Sequence, residues 1–118
     1  MTIIWNIILE KGRQQKLAQT RPPLDSGEFT RRLIESGIQQ RVAQFVWDEF
    51  QPYYFAPLTP YPDDRPISEF KIDPDDLSDI VASFEKRFDR RWNGKWIESD
   101  DPNLTEFASG LMASTGEN

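Results

Sequence analysis

The sequence predicts an all-α fold, a small helical bundle interrupted by a long loop rich in proline and aromatic residues. Three observations carry this. Apolar residues recur at steps of three and four over two long stretches. Asp73-Pro74-Asp75-Asp76 has the composition of a helix start. Five prolines, Pro52, Pro57, Pro60, Pro62 and Pro66, crowd the segment between those stretches, and proline removes a backbone donor and fixes φ, so no regular helix crosses it.

The first stretch follows Arg21-Pro22-Pro23-Leu24, which breaks the chain. From Glu28 to about Gln51 the spacing of Phe29, Leu33, Ile34, Ile38, Val42, Phe45, Val46 and Phe50 is helical, with Gly37 marking a break and Pro52 the end. The loop over 52–72 carries Tyr53, Tyr54, Phe55 and Tyr61. A loop this long in a small domain is packed by its own side chains or is functional. Pinning to the helices is the first expectation for these rings, and a binding surface the second.

The helix after the loop has Asp73 as N-cap, Pro74 at the first helical position and Asp75 and Asp76 in the first turn, where the helix dipole favours anions. Leu77, Ile80, Val81, Phe84 and Phe88 form its inner face, leaving Asp75, Asp76, Asp79 and Lys86 outside. Trp92, Asn93-Gly94, Trp96 and Ile97 suggest a small hairpin or ordered loop. Asn103-Leu104-Thr105-Glu106 opens a last helix with Leu104, Phe107 and Leu111 inward. The chain thus divides into an apolar and basic N-terminal extension (1–20), a helical domain (21–113) and a disordered tail (114–118). Within the extension, Ile3-Ile4-Trp5-Asn6-Ile7-Ile8-Leu9 is too short to span a bilayer, which takes about 20 residues, and lacks the form of a signal peptide. It reads as a helix or strand closing the core. An amphipathic helix on a membrane surface is the lesser alternative.

Composition narrows the chemistry. At 118 residues the chain is long enough for one core, and 13% aromatic residues supply large buried area against a mean hydropathy of −0.66. There is no cysteine and no histidine. A thiol nucleophile, a disulfide framework, the usual zinc sites and the commonest general base are therefore all missing. Ser26, Ser36, Ser68 and Ser78 have no histidine to activate them. No catalytic residues are expected, and no enzyme. The acidic run fails as a calcium loop, because counting from Asp73 puts Ser78 and Phe84 where glycine and glutamate are needed. Neither a metal nor a cofactor is expected.

Charge is segregated. Lys11, Arg13, Lys16 and Arg21 against Glu10 leave +3 on residues 1–23, so with a total of −6 the remainder carries −9. An acidic body repels nucleic-acid phosphate, even though Arg90, Arg91 and Lys95 interleave with Trp92 and Trp96. It favours a protein partner with a basic surface, in the cytoplasm. The candidate docking residues are Asp75, Asp76 and Asp79, with Tyr53, Tyr54 and Tyr61 as exposed aromatics beside them.

Over residues 21–113 the layout resembles the acyl carrier proteins. Ile67-Ser68-Glu69-Phe70-Lys71-Ile72-Asp73 is similar to that family's run into its modification motif. Leu77, Ile80, Val81, Phe84, Glu85 and Phe88 match its second helix, and Arg21-Pro22-Pro23-Leu24 before Glu28-Phe29 looks like a bacterial carrier-like subgroup. The resemblance implies docking on basic partners through the acidic second helix. It also exposes a departure: the serine that carries phosphopantetheine should follow Asp73, and Pro74 stands there. Proline cannot accept a phosphodiester, so the resemblance implies a carrier-like adaptor or regulator without a prosthetic group. The alternatives are a true acyl or peptidyl carrier modified at Ser26 or Ser78, and an acidic immunity or inhibitor protein.

Overall fold

The computed structural model describes residues 2–92 and 101–114. Its described elements are five α-helices and one short 3₁₀ turn: α1 (Thr2–Ala18), α2 (Ser26–Glu35), α3 (Gln40–Phe50), the turn Gln51–Tyr53, α4 (Pro74–Phe88) and α5 (Leu104–Met112). The expected hairpin around Asn93-Gly94 and residues 115–118 of the expected tail lie outside the described residues. Ser114, the first residue assigned to that tail, is buried, and its carbonyl accepts from the Arg90 guanidinium at 3.3 Å.

The first apolar stretch forms two helices. Asp25 caps α2 by accepting from the Glu28 N–H at 2.8 Å. At the other end Gly37 adopts φ +96°, a left-handed conformation that glycine takes without steric cost. The Gly37 N–H then reaches the Ile34 carbonyl and the Ile38 N–H the Leu33 carbonyl, at 2.9 and 3.0 Å. This is the Schellman closure, with Ile38 and Leu33 both buried beside it. The chain turns, and α3 starts three residues later on a new axis. Ile34, counted with the inward apolar residues of this stretch, is 44% exposed because the inner face of α2 ends with Leu33.

α3 is the hub of the core. Its Trp47 ring meets Phe29 of α2 at 5.3 Å, Phe45 meets Phe84 of α4 at 5.5 Å, and Phe50 meets Phe107 of α5 at 5.1 Å. Edge-on and tilted pairs at these separations add to the area term of burying each ring. Pro52 does not stop the chain abruptly: α3 tightens into the 3₁₀ turn, which accommodates proline in its first positions.

The loop is held in place by packing and by hydrogen bonds. Tyr54, Leu58, Phe70 and Ile72 are buried, as are Pro60 and Pro66. Its carbonyls also complete α5. The Leu104 N–H donates to the Asp64 carbonyl (2.9 Å) and the Thr105 N–H to the Pro62 carbonyl (3.1 Å). Asn103 and Glu106 close a capping box over the same end, so the donors that a helix N-terminus leaves free find partners.

α1 lies against this loop. Gln14 is wholly buried and fully used. Its amide oxygen accepts from the Phe55 N–H at 2.7 Å, and its nitrogen donates to Glu10 (2.8 Å) and to the Tyr53 carbonyl (3.3 Å). Leu17 and Ala18 pack on the core below it. Among the described residues no helix is long and apolar enough to cross a membrane.

Candidate binding surface

The acidic start of α4 is built locally. Asp73 accepts from the Asp75 N–H at 2.8 Å, Pro74 occupies the first helical position, and Asp75 and Asp76 stand in the first turn. With Leu77, Ile80, Val81 and Phe84 buried, the helical period turns Asp75 and Asp79 to solvent and leaves Asp76 half-buried at the edge.

Of the three tyrosines expected beside these carboxylates, the fold brings one. Tyr53, in the 3₁₀ turn, is half-buried, and its phenol is pushed above its ordinary range by burial and by the charges of Asp76, Asp79 and Glu49. Asp76 shares a groove lining with Tyr53, and Asp79 and Glu49 lie near enough for their charges to act on the same phenol.

Tyr54 is not an exposed aromatic. It is 7% exposed, packs at a tilt against Phe70 with ring centroids 4.6 Å apart, and donates its hydroxyl to Asp64 at 2.6 Å. Tyr53 ends the 3₁₀ turn whereas Tyr54 leaves it extended, at φ −105° and ψ 138°, so the consecutive rings enter different surroundings. Tyr61 is only half-exposed and is also engaged. Its ring lies 3.9 Å below the Arg21 guanidinium, and its hydroxyl donates to the Pro22 carbonyl.

Arg21 and Asp64 form a buried cluster that the sequence reading did not single out. Two guanidinium nitrogens of Arg21 donate to the two Asp64 carboxylate oxygens at 2.8 and 2.6 Å. A third bond runs from Arg21 to the Thr59 carbonyl at 2.8 Å. Asp64 also accepts from the Tyr61 N–H at 2.9 Å. A bidentate, almost fully bonded pair of this kind ties the Arg21-Pro22-Pro23 break to the loop and draws both tyrosines inward. With the partners 43 positions apart, no local pattern could reveal it.

Beside the acidic turn lies a groove of about 800 Å³. Pro52, Tyr53, Phe55, Phe70 and Ile72 make it largely apolar, Leu9 of α1 forms one lip, and Asp73 and Asp76 form the other. Glu10 and Arg13 also line it but neutralise each other through bonds of 3.1 and 2.8 Å, with Arg13 stacked on Phe70 at 4.7 Å. Lys71, at φ +56°, turns the chain from the groove floor into the cap of α4. A side chain other than glycine, asparagine or aspartate is uncommon in that left-handed region.

These residues provide a shaped apolar surface and an acidic margin. Among the described residues no three His, Cys, Asp or Glu side chains gather as metal ligands. Ser78 stands exposed on α4, whereas Ser26 is half-buried with its hydroxyl 3.3 Å from the Gln44 amide oxygen. No known family model, curated protein or solved structure matches the chain.

Proposed function

We propose that this protein is a non-catalytic, carrier-like adaptor or regulator that binds a basic protein partner through the acidic face of α4. The placement of Asp76 beside the half-buried Tyr53 on one apolar groove, with Asp79 and Glu49 near enough for their charges to act on the same phenol, carries this reading. An aromatic ring inside a cluster of like charges is a favourable seat for a lysine or arginine side chain, which gains both ring contact and charge compensation. Asp75 and Asp79, exposed beyond that ring, extend the negative field and steer the encounter. Pro74 at the head of α4 supports a carrier-like surface without a carried group.

The test is affinity capture with the purified chain at rising salt, alongside the Asp75→Lys/Asp79→Lys variant. A basic protein retained at low salt, released near 1 M salt where the screening length falls to about 3 Å, and not retained by the variant is the expected result. Retention unchanged by the variant removes the α4 face from the interface. Ser78, exposed on the same helix, supports a second reading, a true carrier modified one turn beyond Pro74. Intact mass from the native host separates the two: a bare 13.8 kDa chain is expected for the adaptor, and an added phosphopantetheine for the carrier.

A further inference from the structure

Among the described residues three large apolar side chains are left exposed: Ile8 (55%), Leu9 (64%) and Ile34 (44%). Two of them are neighbours on α1, on the side away from Gln14 and Leu17. The exposed positions that follow on that side, Lys11, Gly12, Gln15 and Lys16, include no carboxylate. The carboxylate of α1 that could have offset the lysines, Glu10, is turned inward and held by Arg13 and Gln14. The outer face of α1 is therefore apolar and basic.

That face is continuous with the groove, because Leu9 belongs to both. Ile8, Leu9, Gly12 and Lys16 line one shared outer surface of α1, which adjoins the apolar floor at Tyr53 and Phe55 and, across it, the acidic lip of Asp73 and Asp76. A surface ordered from basic through apolar to acidic is its own complement under a two-fold rotation. A second copy turned half a revolution brings its basic end to the acidic lip and its apolar middle to the apolar floor.

We infer that α1 and the adjoining groove form a two-fold interface with a second copy of this chain, in which Ile8 and Leu9 of each copy cover the groove of the other while Lys11 and Lys16 face Asp73 and Asp76. Charge selects this occupant over an anionic lipid surface. The basic face of α1 is small, and residues 24–118 carry −9, which such a surface would repel. The same −9 is what a basic helix face seeks, and the matching acidic lip lies next to that helix on every copy. Tyr53 and Asp76 belong to both this interface and the proposed partner surface, so a second copy and a basic partner compete for them, whereas Asp75 and Asp79, the two positions reversed in the capture test, lie outside the groove.

Sedimentation velocity of the full chain over a concentration series tests this. The expected result is reversible association to twice 13.8 kDa, weakened by salt. Leu9→Asp, at a position 64% exposed, should leave the circular dichroism melt unchanged and raise the dimer dissociation constant about tenfold or more. Lys16→Glu and Asp76→Lys should each weaken the dimer, and the double variant should recover most of the loss. A chain that stays monomeric at several hundred micromolar overturns the inference. So does a dimer indifferent to Leu9→Asp, which places the interface elsewhere. A monomer that co-sediments with phosphatidylglycerol vesicles and releases on Leu9→Asp overturns it in favour of a lipid surface.

Discussion

Tyr54 illustrates how much one hydroxyl can be asked to hold. It donates to an Asp64 carboxylate that is itself clasped by Arg21, and the ring is buried against Phe70. Burial first, and the Asp64 charge second, push the phenol well above its ordinary value of 10.0. The fold therefore holds the neutral form. Its contribution is fully present below pH 10 and is lost as pH rises, because the unfolded chain gives up the proton first. Tyr54→Phe is expected to cost about 1.5–3 kcal/mol at neutral pH, the range for a hydrogen bond to a charged group. Above pH 10 the gap between wild type and variant should narrow, since the variant has no proton to lose there. Urea unfolding midpoints across that range measure both effects. The opposite sign holds at the surface for Glu28. Hydrogen bonds from Arg31 and then Arg32 draw its carboxyl down to about 2, so that interaction is present above the ordinary carboxylate range and fades as pH falls toward 2. Glu28 is about one-third exposed and its arginine partners more so, so salt screens the pairing and it adds little to stability.

At the scale of the elements, the turn at Gly37 decides that residues 26–50 make two helices. Its φ of +96° is strained for any residue with a Cβ, yet a Cβ built there meets nothing within 4 Å. The cost of Gly37→Ala is thus a backbone cost alone, about 1–2 kcal/mol, with no clash to relieve. Thermal unfolding of the variant reads it directly. A loss several times larger would mean that α2 and α3 had changed their crossing and not only their joint. The helix starts follow the opposite logic. Asp25, Asp73 and Asn103 each cap with their own side chain, which depends on neighbours two or three residues away and so is written locally.

For the whole molecule, α3 couples α2, α4 and α5 through four ring pairs, three of them made by Phe45 and Phe50. Phe45 is 1% exposed and contacts both Phe84 and Phe88. Phe45→Ala should cost about 3–5 kcal/mol. Against the 5–15 kcal/mol typical of a whole domain, that is enough to bring the chain near its unfolding threshold. A chemical denaturation curve is expected to keep its slope and shift its midpoint. A much shallower slope would indicate that α4 detaches by itself and that the core is less unified than the packing implies.

What the sequence determined by itself is what short-range physics encodes. The helical class, the capped start of α4 at Asp73-Pro74, the capping box at Asn103 and Glu106, the break at Gly37 and the non-helical loop all rest on residues within one or two turns of each other. The acidic character of the α4 face is equally local, because a 3.6-residue period with Leu77, Ile80 and Phe84 inward leaves Asp75 and Asp79 outward. Only the tertiary structure decided which aromatics reach that face. Tyr53, Tyr54 and Tyr61 share a loop and a composition, and their fates diverge because Asp64 and Arg21, 43 residues apart, pull two of them inward. The groove likewise gathers side chains from α1, the 3₁₀ turn and the end of the loop, and the exposure of Ile8 and Leu9 follows from Gln14 docking the other side of α1. A pattern of neighbours cannot register such meetings, since they depend on where distant segments come to rest in the fold.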